Sequence, residues 1–259
     1  MADTDTLQAE AERMDHIARL TDPATFRYLE EKIHVQEGWR CAEVGAGTGT
    51  VARWLSNRVG HYGLVEAIDT ETAHLERLQA SNLKVIKQDI TSRPLEAGSY
   101  DLIHAKILLM HLPERERVLQ EFADALKPGG YLLVEEADVR SIQRVEPAEP
   151  VLTRAAAALE TFFYMMGADP AYAMTLQPSV RSTGLTVQGT DCQLTAVQAG
   201  SKEMLSVSLS LAKLAPMIVK VGLMSEAEVQ KAFTLMEQPG PTVLYTPTII
   251  SVWAQKPEA

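Results

Sequence analysis

Residues 41–55, CAEVGAGTGTVARWL, constrain the fold more than any other stretch of the chain. An apolar run carrying Glu43 breaks into Gly45, Gly47 and Gly49 at alternate positions, and a helical pattern follows. That spacing predicts a tight strand-to-helix turn whose backbone approaches a ligand closely, because glycine takes left-handed dihedrals freely and leaves room beside the chain. The next segments repeat the alternation. LVEAID predicts a second strand ending on Asp69, LKVIKQD a third ending on Asp89, SYDLIHAKILLM a fourth and GGYLLVEEA a fifth. Helices are expected over 51–58, 72–80 and 113–126, the last ended by Pro128-Gly129-Gly130. Such alternation predicts an α/β fold, a mostly parallel sheet with helices on both faces, and ligands then sit outside the carboxyl ends of the strands. Those ends carry Glu43, Asp69, Asp89, Ala105-Lys106 and Glu135-Glu136.

The flanks read differently. Leu7, Met14, Ile17, Leu20, Phe26, Leu29 and Ile33 fall mostly at helical spacing, and Asp22-Pro23 predicts a break between two short helices. These helices either pack on the sheet edge or form a flap that closes over a ligand with Arg27 or Tyr28. Beyond the fifth strand, PVLTRAAAALETFFYMM predicts a helix ended by Gly167. Seven methionines, Met165, Met166, Met174, Met204, Met217, Met224 and Met236, lie between Pro150 and Gly240. Methionine lines adaptable pockets as well as cores, so this region reads as ordinary lid packing or as a substrate-facing wall. Residues 185–199 and 243–254 predict two more strands with helices between them, and Pro247 predicts an irregularity or an edge in the last.

Bulk properties narrow the class. At 259 residues one α/β domain with a lid is expected, and a net charge of −10 argues against a face built to bind nucleic-acid phosphates. Cys41 and Cys192 are far apart and outside metal-ligand spacing, which fits buried thiols in a reducing cytoplasm. The acidic, polar start lacks the pattern of a secretory signal, and the apolar runs are too short to span a membrane. A soluble cytoplasmic protein acting on a small molecule, with no nucleic-acid or membrane partner, is expected; a homodimer is compatible with the pattern.

Two cofactor classes compete for the glycine turn. The dinucleotide fingerprint G-x-G-x-x-G requires glycine at position 50, where this chain has Thr50. Glu43 would repel a pyrophosphate and attract a cationic sulfonium ligand with an ammonium group. The charge pattern therefore favours S-adenosyl-L-methionine (SAM) over a nicotinamide cofactor.

EVGAGTG, IDTE, KQDIT, YDLIHAKILLMHLPERERVL and LKPGGYLLVEE, in this order and spacing, resemble the class I SAM-dependent methyltransferases over residues 39–137. LMHLPERERVLQEFADALKPGGYLLVEE is further similar to bacterial small-molecule methyltransferases found among natural-product enzymes. The resemblance implies a seven-stranded, mostly parallel Rossmann-like sheet with an antiparallel last strand. It divides a single domain over 1–259 into an N-terminal helical cap over 1–35, a SAM-binding core over 36–146, helical lid insertions over 147–180 and 200–238, and closing strands over 181–199 and 239–259. It further implies that Gly45, Ala46, Gly47 and Gly49 pass under the methionine part of SAM, and that Asp69, with Thr70 beside it, holds the ribose hydroxyls. Asp89 and Ile90 would meet the adenine, Glu43 would orient the loop or a water near the ammonium group, and Ala105 and Lys106 would border the ligand. For Asp69 and Asp89 the alternative is a carboxylate that caps the following helix.

Methyl transfer from a sulfonium is an in-line displacement that needs alignment and exclusion of water, and a base is optional. His111, just beyond the fourth strand, is the candidate base; the alternative is a histidine that fixes its loop by a hydrogen bond. Glu136 and Asp138 are poorer candidates. His16, His34, His61, His74 and His104 are scattered and form no metal-ligand cluster. No Asn/Asp-Pro-Pro-Tyr/Phe run follows the fourth strand, and Lys106 stands where a metal-dependent catechol-type enzyme would carry a carboxylate. Combined with the alanine-, aromatic- and methionine-rich lid, these features favour a hydrophobic small-molecule acceptor methylated on oxygen, nitrogen or carbon in secondary metabolism, with S-adenosylhomocysteine (SAH) as product. The alternative from another class is a SAM-binding protein without methyl transfer, regulatory or catalysing a cyclisation.

Overall fold

The computed structural model describes residues 4–258. In chain order the helices and strands are α1 (Thr4–Glu31), β1 (Arg40–Val44), α2 (Thr50–Val59), β2 (Leu64–Asp69), β3 (Leu83–Lys87), β4 (Tyr100–Lys106), α3 (Arg115–Ala125), β5 (Leu126–Asp138) and β6 (Val145–Glu146). There follow α4 (Pro150–Met165), α5 (Leu176–Ser182), β7 (Thr186–Gln193), β8 (Ala196–Gln198), α6 (Leu205–Lys220), α7 (Glu226–Glu237), β9 (Val243–Tyr245) and β10 (Thr248–Gln255).

Seven strands form one sheet in the order β3-β2-β1-β4-β5-β10-β7. The first five run parallel, and β10 runs antiparallel to both of its neighbours. Connections leave β1 and β4 in opposite directions, so a crevice opens between their carboxyl ends, where ligands settle in sheets of this kind. Helices cover both faces. On one, Tyr28 and Leu29 of α1 and Leu55 and Val59 of α2 pack over Cys41, Val65 and Trp253; on the other, Leu119 and Phe122 of α3 and Leu176 and Val180 of α5 pack over Ile103, Leu132 and Val252. Side chains as deeply buried as Phe122 and Leu55 each stabilise the fold by about 1.5–3 kcal/mol through loss of apolar surface to water.

Four sequence expectations are corrected. The break at Asp22-Pro23 is absent: α1 runs on through Pro23. Proline crowds the preceding turn and removes one amide donor. Gln193 Nε2 of β7 donates to the Leu20 carbonyl in that turn, so a tertiary contact anchors the helix beside the proline. Residues 72–80 form successive turns instead of a helix, with the Leu75 amide bonded to the Thr72 carbonyl and the Leu78 amide to the Leu75 carbonyl. Leu75 and Leu78 drop against Gly49, and this anchor overrides the weak propensity of so short a segment.

The strands expected over 185–199 and 243–254 each split. β7 and β10 join the large sheet, whereas β8 and β9 join β6 in a small antiparallel sheet, with Thr246-Pro247 marking the second division. The methionines of the 150–240 region are no pocket wall. Met204, Met224 and Met236 are buried in the core, Met165, Met166, Met174 and Met217 are exposed, and none of the seven lines the cavity described below.

Candidate functional site

A cavity of about 510 Å³ lies at the carboxyl ends of β1 and β4, roofed by α1 and flanked by α4 and α6. One end is built by the glycine turn. Gly45 and Gly47 adopt φ of 73° and 54°, a region costly for any residue with a Cβ. The Gly45 and Ala46 amides donate to the Ile68 carbonyl, and the Gly47 amide donates to Asp69 Oδ2 at 2.9 Å. Asp69 Oδ1 accepts from the Glu71 amide at 3.0 Å, so this carboxylate ties the glycine turn to the end of β2 while facing the cavity.

Of the twelve residues singled out in the sequence, Glu43, Gly45, Ala46, Gly47, Asp69, Lys106 and His111 line this one cavity. Gly49, Thr70, Asp89, Ile90 and Ala105 do not. A Cβ on Gly49, whose φ is 77°, would stand 2.3 Å from Leu78 Cδ1, so packing of the 71–80 segment is what requires glycine there. Asp89 is exposed; its Oδ1 accepts from the Thr91 hydroxyl at 2.7 Å and amide at 2.8 Å, and these bonds hold its carboxyl below the usual range. Thr70 is exposed beside Asp69, while Ile90 and Ala105 are buried in the core.

Beneath the glycine end lies a buried polar network. Glu43 of β1 and His104 of β4 are register partners, and Glu43 Oε2 stands 2.6 Å from His104 Nδ1. His104 Nε2 faces Glu135 Oε1 at 3.1 Å. Glu135 also accepts from the hydroxyls of Thr25 at 2.5 Å and Ser251 at 2.6 Å. Burial alone would lower the His104 pKa, but the charge of Glu43 and hydrogen bonds to both carboxylates outweigh it and raise the value to about 9. An imidazole with an acceptor at each nitrogen donates to both only as the cation. Burial would lift Glu135, yet His104 and Lys106 draw it down to about 2, and burial leaves Glu43 raised despite His104. Lys106 extends the network to α1, where its ammonium pairs with Asp22 and donates to Thr25 Oγ1 at 3.2 Å. The roof helix is thereby fastened to the floor of the site, although Arg27 and Tyr28, the flap residues expected from sequence, point elsewhere and engage Asp191 of β7. Met14, Ile17, Ala18, Leu20 and Thr21 line the cavity in their place.

The other end follows β4. The Glu136 carboxylate, fully buried, accepts from the amides of Leu109 at 2.7 Å, Leu108 at 3.1 Å and Met110 at 3.3 Å. Burial lifts its pKa to about 7 against those three donors. This grip holds Ile107 at φ 53°, a strained conformation for a β-branched residue, and turns Met110 and His111 into the cavity. Glu136 therefore shapes the loop, and the role of base considered for it does not fit a carboxylate occupied by three amides. The His111 ring tilts against Phe163 with centroids 5.9 Å apart. It is open to the cavity yet ringed by protein, and this partial burial, reinforced by the charges of Arg13 and Lys213, lowers its pKa. Among the described residues its ring nitrogens make no hydrogen bond, so the loop-fixing alternative has no support in the geometry. Ile142, Leu159, Val207, Leu214 and Ile249 complete a mostly apolar wall.

The network of His104, Glu135 and Ser251 escaped sequence reasoning, although Glu135 was placed at a strand end. Their signal was a polar residue inside an otherwise apolar strand, at a position where register brings it beside another.

Among the described residues, no group of three or more His, Cys, Asp or Glu side chains is placed to hold a metal ion, and no helix is long and apolar enough to cross a membrane. The fold is similar to that of a SAM-dependent methyltransferase from Aquifex aeolicus, with a TM-score of 0.53 at 17% identity over 98% of this chain and 99% of the other. Residues 42–134 match the family model described as a methyltransferase domain. They form a class I SAM-dependent methyltransferase domain. The methyltransferase str2 of Strobilurus tenacellus is 34% identical over 148 residues, 54% of this chain and 51% of that protein. The chain spans about half the length of the curated relatives it matches. The [4+2]-cyclase SpnF shares the fold of the methyltransferase domain at a TM-score of 0.55 and 20% identity, over 93% of this chain and 81% of that one.

The residues at the glycine end of the cavity fit SAM. Turn glycines with left-handed dihedrals leave the backbone bare toward the cavity, and three carboxylates, Asp22, Glu43 and Asp69, reach its wall where a cationic ligand would lie.

Proposed function

We propose that the protein transfers a methyl group from SAM to a small, largely apolar acceptor. The observation that carries this reading is the polarity of the cavity: glycines and carboxylates at one end, and a largely apolar wall that carries the His111 imidazole at the other. SAM supplies a methyl group already activated by its sulfonium. Gly45, Ala46 and Gly47 would pass beneath the methionine part, Asp69 would accept from the ribose hydroxyls through its remaining lone pairs, and Asp89 and Ile90 would meet the adenine at the rim. Glu43, held by His104, would set a negative potential near the ammonium group, and Lys106 would keep α1 closed over the ligand. Phe163, Leu159 and Ile142 would align the acceptor and exclude water. His111, uncharged at neutral pH because its pKa is lowered, would accept a proton at a ring nitrogen from an acceptor hydroxyl or amine.

A place in secondary metabolism, in the cytoplasm, is part of this reading. A second reading keeps SAM as a bound cofactor and uses the apolar end for a cyclisation. Fold does not separate the two, since it does not dictate chemistry. Release of SAH in the presence of a panel of apolar phenols, amines and acids separates them: turnover supports methyl transfer, and tight SAM binding without turnover across the panel counts against it.

A further inference from the structure

Arg13 and Lys213 both line the apolar end of the cavity, and both are attached to one carboxylate, that of Glu10. Arg13 reaches it with Nε at 3.0 Å and Nη2 at 2.7 Å from α1, and Lys213 with Nζ at 2.6 Å from α6. Two cations share one anion, which leaves an excess positive charge beside His111, where it also lowers the histidine's pKa. Among the described residues, Arg13 Nη1 donates no hydrogen bond. A latch between α1 and α6 needs only one cation and one acid, and a wholly apolar ligand gains nothing from a second cation at the cavity wall. Such a group costs free energy to desolvate unless an anion meets it.

The charges of the cavity are also segregated. Toward the glycine end Asp22 is paired with Lys106 and Glu43 with His104, while Asp69 is in no ion pair among the described residues and repels a second anion; the surplus cation lies on the His111 side. We propose that the acceptor is an apolar organic acid whose carboxylate is held by Arg13 and Lys213 beside Glu10, with its hydrophobic body against the α4 and α6 wall. Arginine's planar fork and the mobile lysine ammonium together suit a carboxylate's two oxygens. The inference rests on reading the cavity as a methyl-transfer site, and it adds the class of acceptor.

The test uses the full chain saturated with SAH, titrated by calorimetry at low ionic strength with phenylbutyrate and with its neutral amide, phenylbutyramide. The acid is expected to bind at least about tenfold more tightly than the amide, from one new charge-assisted hydrogen-bonded pair. Lys213→Met and Arg13→Gln should each reduce that preference toward equality. Glu10→Gln, which removes the competing carboxylate, should strengthen binding of the acid and leave the amide unchanged. Equal affinity for acid and amide, absence of acid binding, or a preference that survives both cation variants overturns the proposal. So does weaker acid binding in Glu10→Gln, the result expected if the trio is only a latch. The SAH titration that precedes these measurements keeps the two readings apart: no SAH binding overturns both, whereas normal SAH binding without an acid preference overturns the acceptor class alone.

Discussion

Replacing His104 by glutamine removes the cation between two buried carboxylates, and the consequence follows from the geometry. His104 is wholly enclosed, with Glu43 2.6 Å from one nitrogen and Glu135 3.1 Å from the other. Its folded pKa of about 9 lies above the ordinary 6.5. That difference corresponds to about 3 kcal/mol of stability, since each pH unit is worth about 1.4 kcal/mol. The sign follows from proton binding. Folded His104 binds its proton more tightly than the unfolded chain does, so the contribution is complete below pH 6.5 and disappears as pH rises through about 9. Urea unfolding of the unaltered protein at about pH 6 and about pH 9.5 should therefore show a loss of that order. His104→Gln should lose about 3–5 kcal/mol at about pH 6, because the carboxylates keep their burial without their counter-charge. The variant should lack the decline through pH 9. Its stability should instead fall as pH rises through the ordinary carboxyl range, where the unfolded carboxyl ionises and the buried Glu43, with its raised pKa, does not. An alkaline decline equal in both proteins, or equal unfolding midpoints at pH 6, would refute the role given to His104.

Three other substitutions probe separate parts of the account. His111→Ala should slow turnover by about a hundredfold or more if the imidazole takes a proton, with SAH affinity nearly intact; an unchanged steady-state rate removes the base from the mechanism. Glu136→Gln keeps an acceptor for Leu108 and Leu109 but turns an NH2 toward the Met110 amide. It should cost about 1–3 kcal/mol in denaturant unfolding and slow turnover through His111, and a silent variant would show that the loop does not need that carboxylate. Gly189→Ala would place a Cβ 2.1 Å from Cζ2 of Trp253, which is itself stacked on Tyr28 with centroids 5.4 Å apart. Thermal unfolding should report about 1–3 kcal/mol of overpacking with SAH binding preserved.

The first five strands and the glycine turn were legible because most of the apolar runs end on glycine or an acidic residue; the fourth, SYDLIHAKILLM, lacks such an end, and its strand stops at Lys106, short of Met110. That Asp69 and His111 face the cavity was legible for a related reason, since ligands in such a fold sit at the carboxyl ends of the parallel strands. What stayed hidden depends on contacts distant in the chain. Pro23 reads as a helix breaker until Gln193 is seen bonded to the adjoining turn. Residues 72–80 carry a helical pattern, but Gly49 offers a niche that holds Leu75 and Leu78 in turns. His104 looks like an isolated histidine until strand register sets it beside Glu43 and brings Ser251 beside Glu135. Methionine at helical spacing described lid helices correctly and pocket walls wrongly, because composition does not say which face of a helix turns inward.

The central claim is that the glycine turn, Glu43 and Asp69 form a cradle for SAM. Calorimetric titration of the full chain with SAH and, in parallel, with NAD, repeated on Asp69→Ala, tests it most directly. The account predicts saturable one-to-one binding of SAH, no binding of NAD, and SAH affinity reduced by tenfold or more in the variant, by about 1.4 kcal/mol or greater. Binding of NAD in preference to SAH, or SAH affinity indifferent to loss of the Asp69 carboxylate, would contradict it.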